Sequence, residues 1–255
     1  MATKLRPKST PELKHMINAI CETEGWEADL NRIDTSQIEN MAALFRNSKF
    51  NGNISEWDVG NVKDMNSMFY HSEFNGDISR WDVSKVIDMS YLFQDSQFNQ
   101  DISQWNVENV KNLSFAFLGS QFNQDISQWN TPQVEETAFM FYQSAFNGDL
   151  SEWNVKKVNV ATSMFEQSKF NGDLSCWQLP SNVKASGMFK ESCFNGDIST
   201  WNLEINWQDF ISTPATFYPA PTKSFEEYKT LCTHKKLTNR HQDLLKNTTT
   251  PLKTL

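Results

Sequence analysis

Four histidines, four cysteines and 31 acidic residues are the groups with which this 255-residue chain could do chemistry. His15, His71, His234 and His241 lie near no Cys or carboxylate at metal-ligand spacing, and the chain holds no H-E-x-x-H, P-loop, G-x-S-x-G or G-x-G-x-x-G motif. Its acidic residues are spread periodically: in a column headed by Asn53, Asp77, Asp101, Asp125, Asp149, Asp173 and Asp197 recur every 24 residues. Like charges stacked about 5 Å apart repel by ~1 kcal/mol per pair in water. Each carboxylate must therefore accept nearby backbone N–H groups or share a cation with its neighbour. Calcium needs six to eight oxygens, more than one column with Ser neighbours supplies. Backbone capping is the expected role, and a cation held by Asp77, Asp101, Asp125 and Asp149 is the weaker alternative. No catalytic residue and no cofactor are expected, so the chain reads as a non-enzyme.

What positions these columns is a repeat. Phe-Asn-Gly or Phe-Asn-Gln begins at Phe50, Phe74, Phe98, Phe122, Phe146, Phe170 and Phe194, always 24 residues apart. With each such Phe as position 0, Ile or Leu recurs at position 4 (Ile54 to Ile198), Trp at position 7 (Trp57 to Trp201) and a second Phe at position 19 (Phe69 to Phe189). A leading half-repeat starts near Ile33, carrying Ile38, Met41, Leu44 and Phe45, and Pro180 displaces Val183 by one residue in the sixth copy.

Within a copy, Val62, Met65, Met68 and Phe69 have the spacing of one helix face, and Trp57 and Val59 that of one strand face. The expected fold class is α/β: a leucine-rich-repeat-like solenoid of 24-residue rungs, one short strand and one helical turn each. Stacked rungs bury what a single rung cannot, and each large apolar side chain buried is worth about 1.5–3 kcal/mol. The Trp column is core on this view. Asn at position 1 (Asn51 to Asn195) reads as an interior ladder, and Ser at positions 5 and 22 as caps on tight bends.

Position 6 varies freely beside the constant Trp. Together with position 8 it forms the candidate binding stripe: Glu56 and Asp58, Arg80 and Asp82, Gln104 and Asn106, Gln128 and Asn130, Glu152 and Asn154. Solenoids bind partners along such extended surfaces.

The unit Phe-Asn-Gly-Asp-Ile-Ser-x-Trp-Asp-Val-x-x-Val-x-x-Met-x-x-Met-Phe resembles the repeat of BspA-like leucine-rich-repeat surface proteins, in the variety abundant in Mycoplasma-type lipoproteins. The resemblance covers about residues 33–203. It implies a solenoid and a role in surface contact or adhesion, with no catalytic residues to carry over.

The ends differ from the rod. Residues 1–32 supply a lead-in and a capping helix over 9–23, with Ser9 or Thr10 as cap, Pro11 in the first turn, and Leu13, Met16, Ile17, Ile20 and Cys21 on one face. Residues 33–207 form the solenoid. Residues 208–255 are a Pro-broken cap or tail whose last 34 residues carry net +4, leaving −12 on the rest. The tail docks on its own rod, another copy or a partner, or is a cap followed by irregular chain.

A net charge of −8 argues against a nucleic-acid partner, and 19 Phe and 9 Trp argue against a disordered chain. There is no apolar run long enough to span a membrane, and the polar MATKLRPKST start has no signal-peptide core. The expected product is made in the cytoplasm, with free thiols in a reducing compartment, and one destination is a virion. The function expected is a protein–protein interaction scaffold, a structural subunit of a larger assembly with self-association open to it. The alternative is an adhesion or recognition module for a surface protein or glycan.

Overall fold

The computed structural model describes residues 4–198, 200 and 201. The tail over 208–255 and Cys232 lie outside the described residues. The described part is a repeat solenoid with one helix, α1 (Thr10–Glu24), at its N-terminal end. Ser9 caps α1 by accepting from the Glu12 N–H, Pro11 occupies the first turn, and Gly25 ends the helix at φ 91°. Leu13, Ile17, Ile20 and Cys21 are buried against the rod. The Thr10 hydroxyl and the Lys14 ammonium donate to the Asn40 and Ala43 carbonyls. Further along the stack, the carbonyl 24 residues after Asn40 takes the N–H of Met41 from the preceding rung. The helix thus stands in for a missing rung.

The stack begins at Trp26, seven residues ahead of Ile33. Asn51 N–H donates to Trp26 O, Leu30 N–H to Asn53 O, and Asp29 bridges Asn53. Trp26 takes the place of the position-0 Phe and Ile33 that of the Trp, so the leading rung is nearly whole but disguised.

Each rung bends where a side-chain oxygen captures the N–H two residues ahead, the Asx or Ser turn that competes with regular structure. At position 3, Asp77, Asp101, Asp125, Asp149 and Asp173 accept from the Ser at position 5 at 2.8–2.9 Å. At position 14, Asn40, Asp64, Asp88 and Asn112 do the same. The position-22 Ser accepts from the following Phe N–H, from Ser48 to Ser192.

Among the described residues, the expected short strand and helical turn per rung do not form. Pairing is limited to isolated parallel bridges, one per rung at position 14 from Asn40 to Lys184. Positions 15–22 are overlapping turns. Met68 N–H donates back to Met65 O, Tyr70 to Ser67 O and Ser72 to Phe69 O, while the intervening N–H groups of Met65, Ser67, Phe69 and His71 donate to the next rung. The same four donors recur in every rung pair from Met41 to Gln167. This alternation requires left-handed residues at positions 17 and 21, and twelve non-glycine residues, from Ala43 to Glu191, adopt φ between 50° and 63°. Such backbone costs roughly 1–3 kcal/mol per residue, offset by the inter-rung bonds that it makes possible. The apolar spacing that reads as helix comes from these turns.

Inside, two Phe columns interleave. Position-19 rings stack on each other at 5.5–5.7 Å and on the following position-0 ring at 4.0–4.8 Å. The indole N–H of each of the seven position-7 Trp donates at 2.8–3.2 Å to the position-4 carbonyl of the rung before, from Trp57 on Leu30 to Trp201 on Leu174. The Asn ladder forms, with each Oδ1 accepting the next Asn N–H at 2.7–2.9 Å. It lies on the surface and not in the interior, because Asn51, Asn75 and Asn123 are exposed.

Candidate functional site

The candidate stripe lies along one outer face. Its residues alternate with the buried Trp and Val of positions 7 and 9, so both columns turn outward. Glu56, Arg80, Gln104, Gln128 and Glu152 are exposed at position 6. At position 8, Asp58, Asp82, Asn106 and Asn130 are exposed and Asn154 is half-buried. The two columns differ in kind. Asp58, Asp82, Asn106 and Asn154 each accept an N–H two residues on, from Gly60, Ser84, Glu108 and Lys156. Asn130 precedes Pro132, which has no N–H to give, and its amide donates to Glu108 instead. Position 8 is therefore mostly committed to the bend, whereas at position 6 Gln104 and Gln128 donate only to the Ser just before them.

The position-3 carboxylates are also spoken for. Ser79 and Ser127 donate both backbone N–H and hydroxyl to Asp77 and Asp125, holding both carboxyls below the usual Asp range. Asp82 is lowered in the same way by Ser84, its hydroxyl first. Asp101 and Asp149 make the same backbone contact. Among the described residues no group of three or more His, Cys, Asp or Glu is gathered as a metal site. Cys21 is buried, Cys176 and Cys193 are exposed, and all three are free.

A pH dependence follows from these bonds. A carboxyl whose pKa is lower folded than unfolded contributes stability above its unfolded value, about 3.9. That contribution drains away as pH falls through the folded value. Urea midpoints for the rod are expected to be level near neutrality and to drop below about pH 4. Asp101→Asn keeps an Oδ1 acceptor, as Asn53 does naturally, and is expected to leave the neutral midpoint nearly unchanged. Asp101→Ala leaves the Ser103 N–H without that partner and should cost about 1 kcal/mol. Equal midpoints for the two variants would dismiss the turn as a source of stability.

A second surface feature escaped the motif analysis. Position 17 runs Ala43, Ser67, Tyr91, Phe115, Phe139, Ser163, Gly187. Three successive rungs thus carry aromatic rings in a column otherwise made of small residues. The rings stack at 4.5 Å and 5.0 Å, nearly parallel, and each is half-buried. All three residues have positive φ, at 59°, 63° and 54°, a conformation uncommon for bulky side chains. Half-buried Leu118 and Tyr142 lie beside them at position 20, and Tyr142 packs tilted on Phe139 at 5.7 Å. Gln94 Oε1 and Ser114 Oγ, from the same rungs, are buried without a hydrogen-bond partner. The signal was available in the sequence as a column that changes from small to aromatic and back. It was hidden because that stretch reads as one face of a helix, with position 17 off the apolar face.

A crevice lined by Thr137, Ala161, Trp153 and Trp177, where the position-15 column shrinks from Met to Thr and Ala, is too tight for water. No described helix is long and apolar enough to cross a membrane. The family profile described as "Mycoplasma protein of unknown function, DUF285" matches residues 12–121, 71–177 and 114–220. No curated protein and no solved structure matches the chain.

Proposed function

Because the chain belongs to the family of the Mycoplasma protein of unknown function, DUF285, whose description assigns no activity, we propose a function from its surface: a non-enzymatic protein–protein interaction scaffold, serving as a structural subunit of a larger assembly such as a virion. The observation that carries this reading is the Tyr91–Phe115–Phe139 ladder, a continuous stack of half-buried aromatic rings on the rod's surface. Contiguous exposed apolar surface marks contact sites, and polar columns tied to their own bends leave few groups for catalysis.

A second reading is a recognition or adhesion module working through Glu56, Arg80, Gln104, Gln128 and Glu152. The freedom of position 6 from any structural bond in most rungs favours it, as does the likeness of the repeat to BspA-like leucine-rich-repeat surface proteins.

Cross-linked capture from the native source separates the two. Wild type is compared with Tyr91→Ser/Phe115→Ser/Phe139→Ser and with Glu56→Lys/Arg80→Glu/Glu152→Lys. The scaffold reading expects a stoichiometric set of structural partners, lost with the ladder and kept with the altered stripe. Scattered surface receptors lost only with the altered stripe would establish adhesion in its place.

A further inference from the structure

We propose that two copies of this chain pair antiparallel through the aromatic ladder, about a two-fold axis at Phe115. This rests on the scaffold reading and names its first partner.

Three observations point to a second copy. The first is period. The half-buried rings repeat every 4.5–5.0 Å, close to the ~4.8 Å between paired strands. An extended segment presents successive side chains on one face about 6.6 Å apart, so it falls out of step after one ring. A partner that meets the ladder ring for ring must itself be a stack of rungs.

The second is the order of side-chain sizes. Position 17 is a palindrome about Phe115: Tyr91 is matched by Phe139, Ser67 by Ser163, and Ala43 by Gly187. A two-fold axis at Phe115 lays rings on rings and small residues on small residues, the self-complementarity an isologous interface needs.

The third is charge. The same axis sets Asp95 opposite Gln143, Glu166 opposite Tyr70, and Glu191 opposite Asn47 beside Arg46. At the rim, exposed Glu73 meets exposed Lys169 twice over. Arg46 and Lys190 do face each other, but Lys190 is already paired with Glu166 at 3.1 Å. The axis passes through the rung of Ser114, whose buried Oγ has no partner, and sets Gln94, whose buried Oε1 has none, across from Tyr142.

Sedimentation velocity of the full chain over a wide concentration range tests the pairing. The mass is expected to rise from 29.5 kDa to twice that value, and Phe115→Ser/Phe139→Ser is expected to remain monomeric throughout. Serine is the chain's own residue at this position in two rungs, Ser67 and Ser163, with the same positive φ. The variant should therefore fold, which its tryptophan fluorescence checks. A wild type that stays monomeric, or a variant that still dimerises, overturns the proposal.

Should the variant unfold, the intact ladder is probed instead. In a background with Cys21, Cys176, Cys193 and Cys232 changed to Ser, Glu73→Cys chains are mixed with Lys169→Cys chains and treated with a short bismaleimide. Cross-linking in the mixture, and in neither chain alone, is the expected result; any other pattern refutes the antiparallel arrangement. A monomeric chain that still captures assembly partners through the ladder would sink the pairing alone, whereas a wild-type chain that captures no structural partners would sink the scaffold reading.

Discussion

Trp129→Ala is expected to lower the stability of the rod by about 4 kcal/mol and to split its unfolding into two steps. The side chain is 2% exposed, and its ring lies between Trp105 and Trp153 at 6.4 Å and 6.0 Å. Truncation leaves a void that neighbours committed to their own stacks cannot fill. It also removes the donor to Ile102 O at 3.0 Å, a bond that ties one rung to the one before. Repeat stability is a sum of rung terms and nearest-neighbour terms, so a weak junction in mid-rod lets the halves unfold separately. Trp129→Phe keeps most of the apolar volume, loses the indole donor, and should cost roughly half as much. Urea titration followed by far-ultraviolet circular dichroism reads both effects. A single transition at the wild-type midpoint would show that the Trp column does not couple the rungs.

Gly52→Ala is the second large effect, and its contrast with Gly76→Ala is the more informative part. A methyl group on Gly52 would lie 2.0 Å from the Ala28 carbonyl oxygen, backbone against backbone, in a buried position. Nothing flexible is available to yield, so the leading rung must part from its neighbour. The expected cost is about 3 kcal/mol, the upper range for overpacking. At Gly76 the nearest atoms belong to the Phe74 ring at 2.8–2.9 Å, and the Gly52 carbonyl oxygen is 3.4 Å away. The same position carries Gln100 and Gln124 in the next two rungs, so a side chain is accommodated there once its Phe adjusts. About 1 kcal/mol or less is expected. Similar midpoints for the two variants would mean that the contact between the first two rungs is looser than described.

The repeat, its core columns and the lid at its N-terminal end were legible in the sequence because side-chain burial follows a fixed 24-residue spacing. Trp57 and Phe69 announce themselves wherever the period is noticed. The backbone path was not legible in the same way. Met65, Met68 and Phe69 have helical spacing, yet Ser67 and His71 are left-handed, and spacing alone does not reveal the sign of φ. The leading rung was half hidden because Trp26 stands where Phe marks position 0 and Ile33 where Trp marks position 7. At the surface, the stripe through Glu56 and Arg80 was visible as variation, but Asp58 and Asp82 turned out to hold bends. The ladder at Tyr91, Phe115 and Phe139 needed knowledge of which turn residues face outward.

The four N–H donors that each rung extends to the next have a mechanical consequence. Because they recur at one offset from Met41 to Gln167, the junctions resist a pull along the rod with nearly equal strength. Stretched from its C-terminal end, the rod should yield in even steps, each releasing one 24-residue rung, or about 80 Å of extended chain. A tether built in this way pays out length at near-constant force and shields whatever is fixed at its α1 end from sudden load.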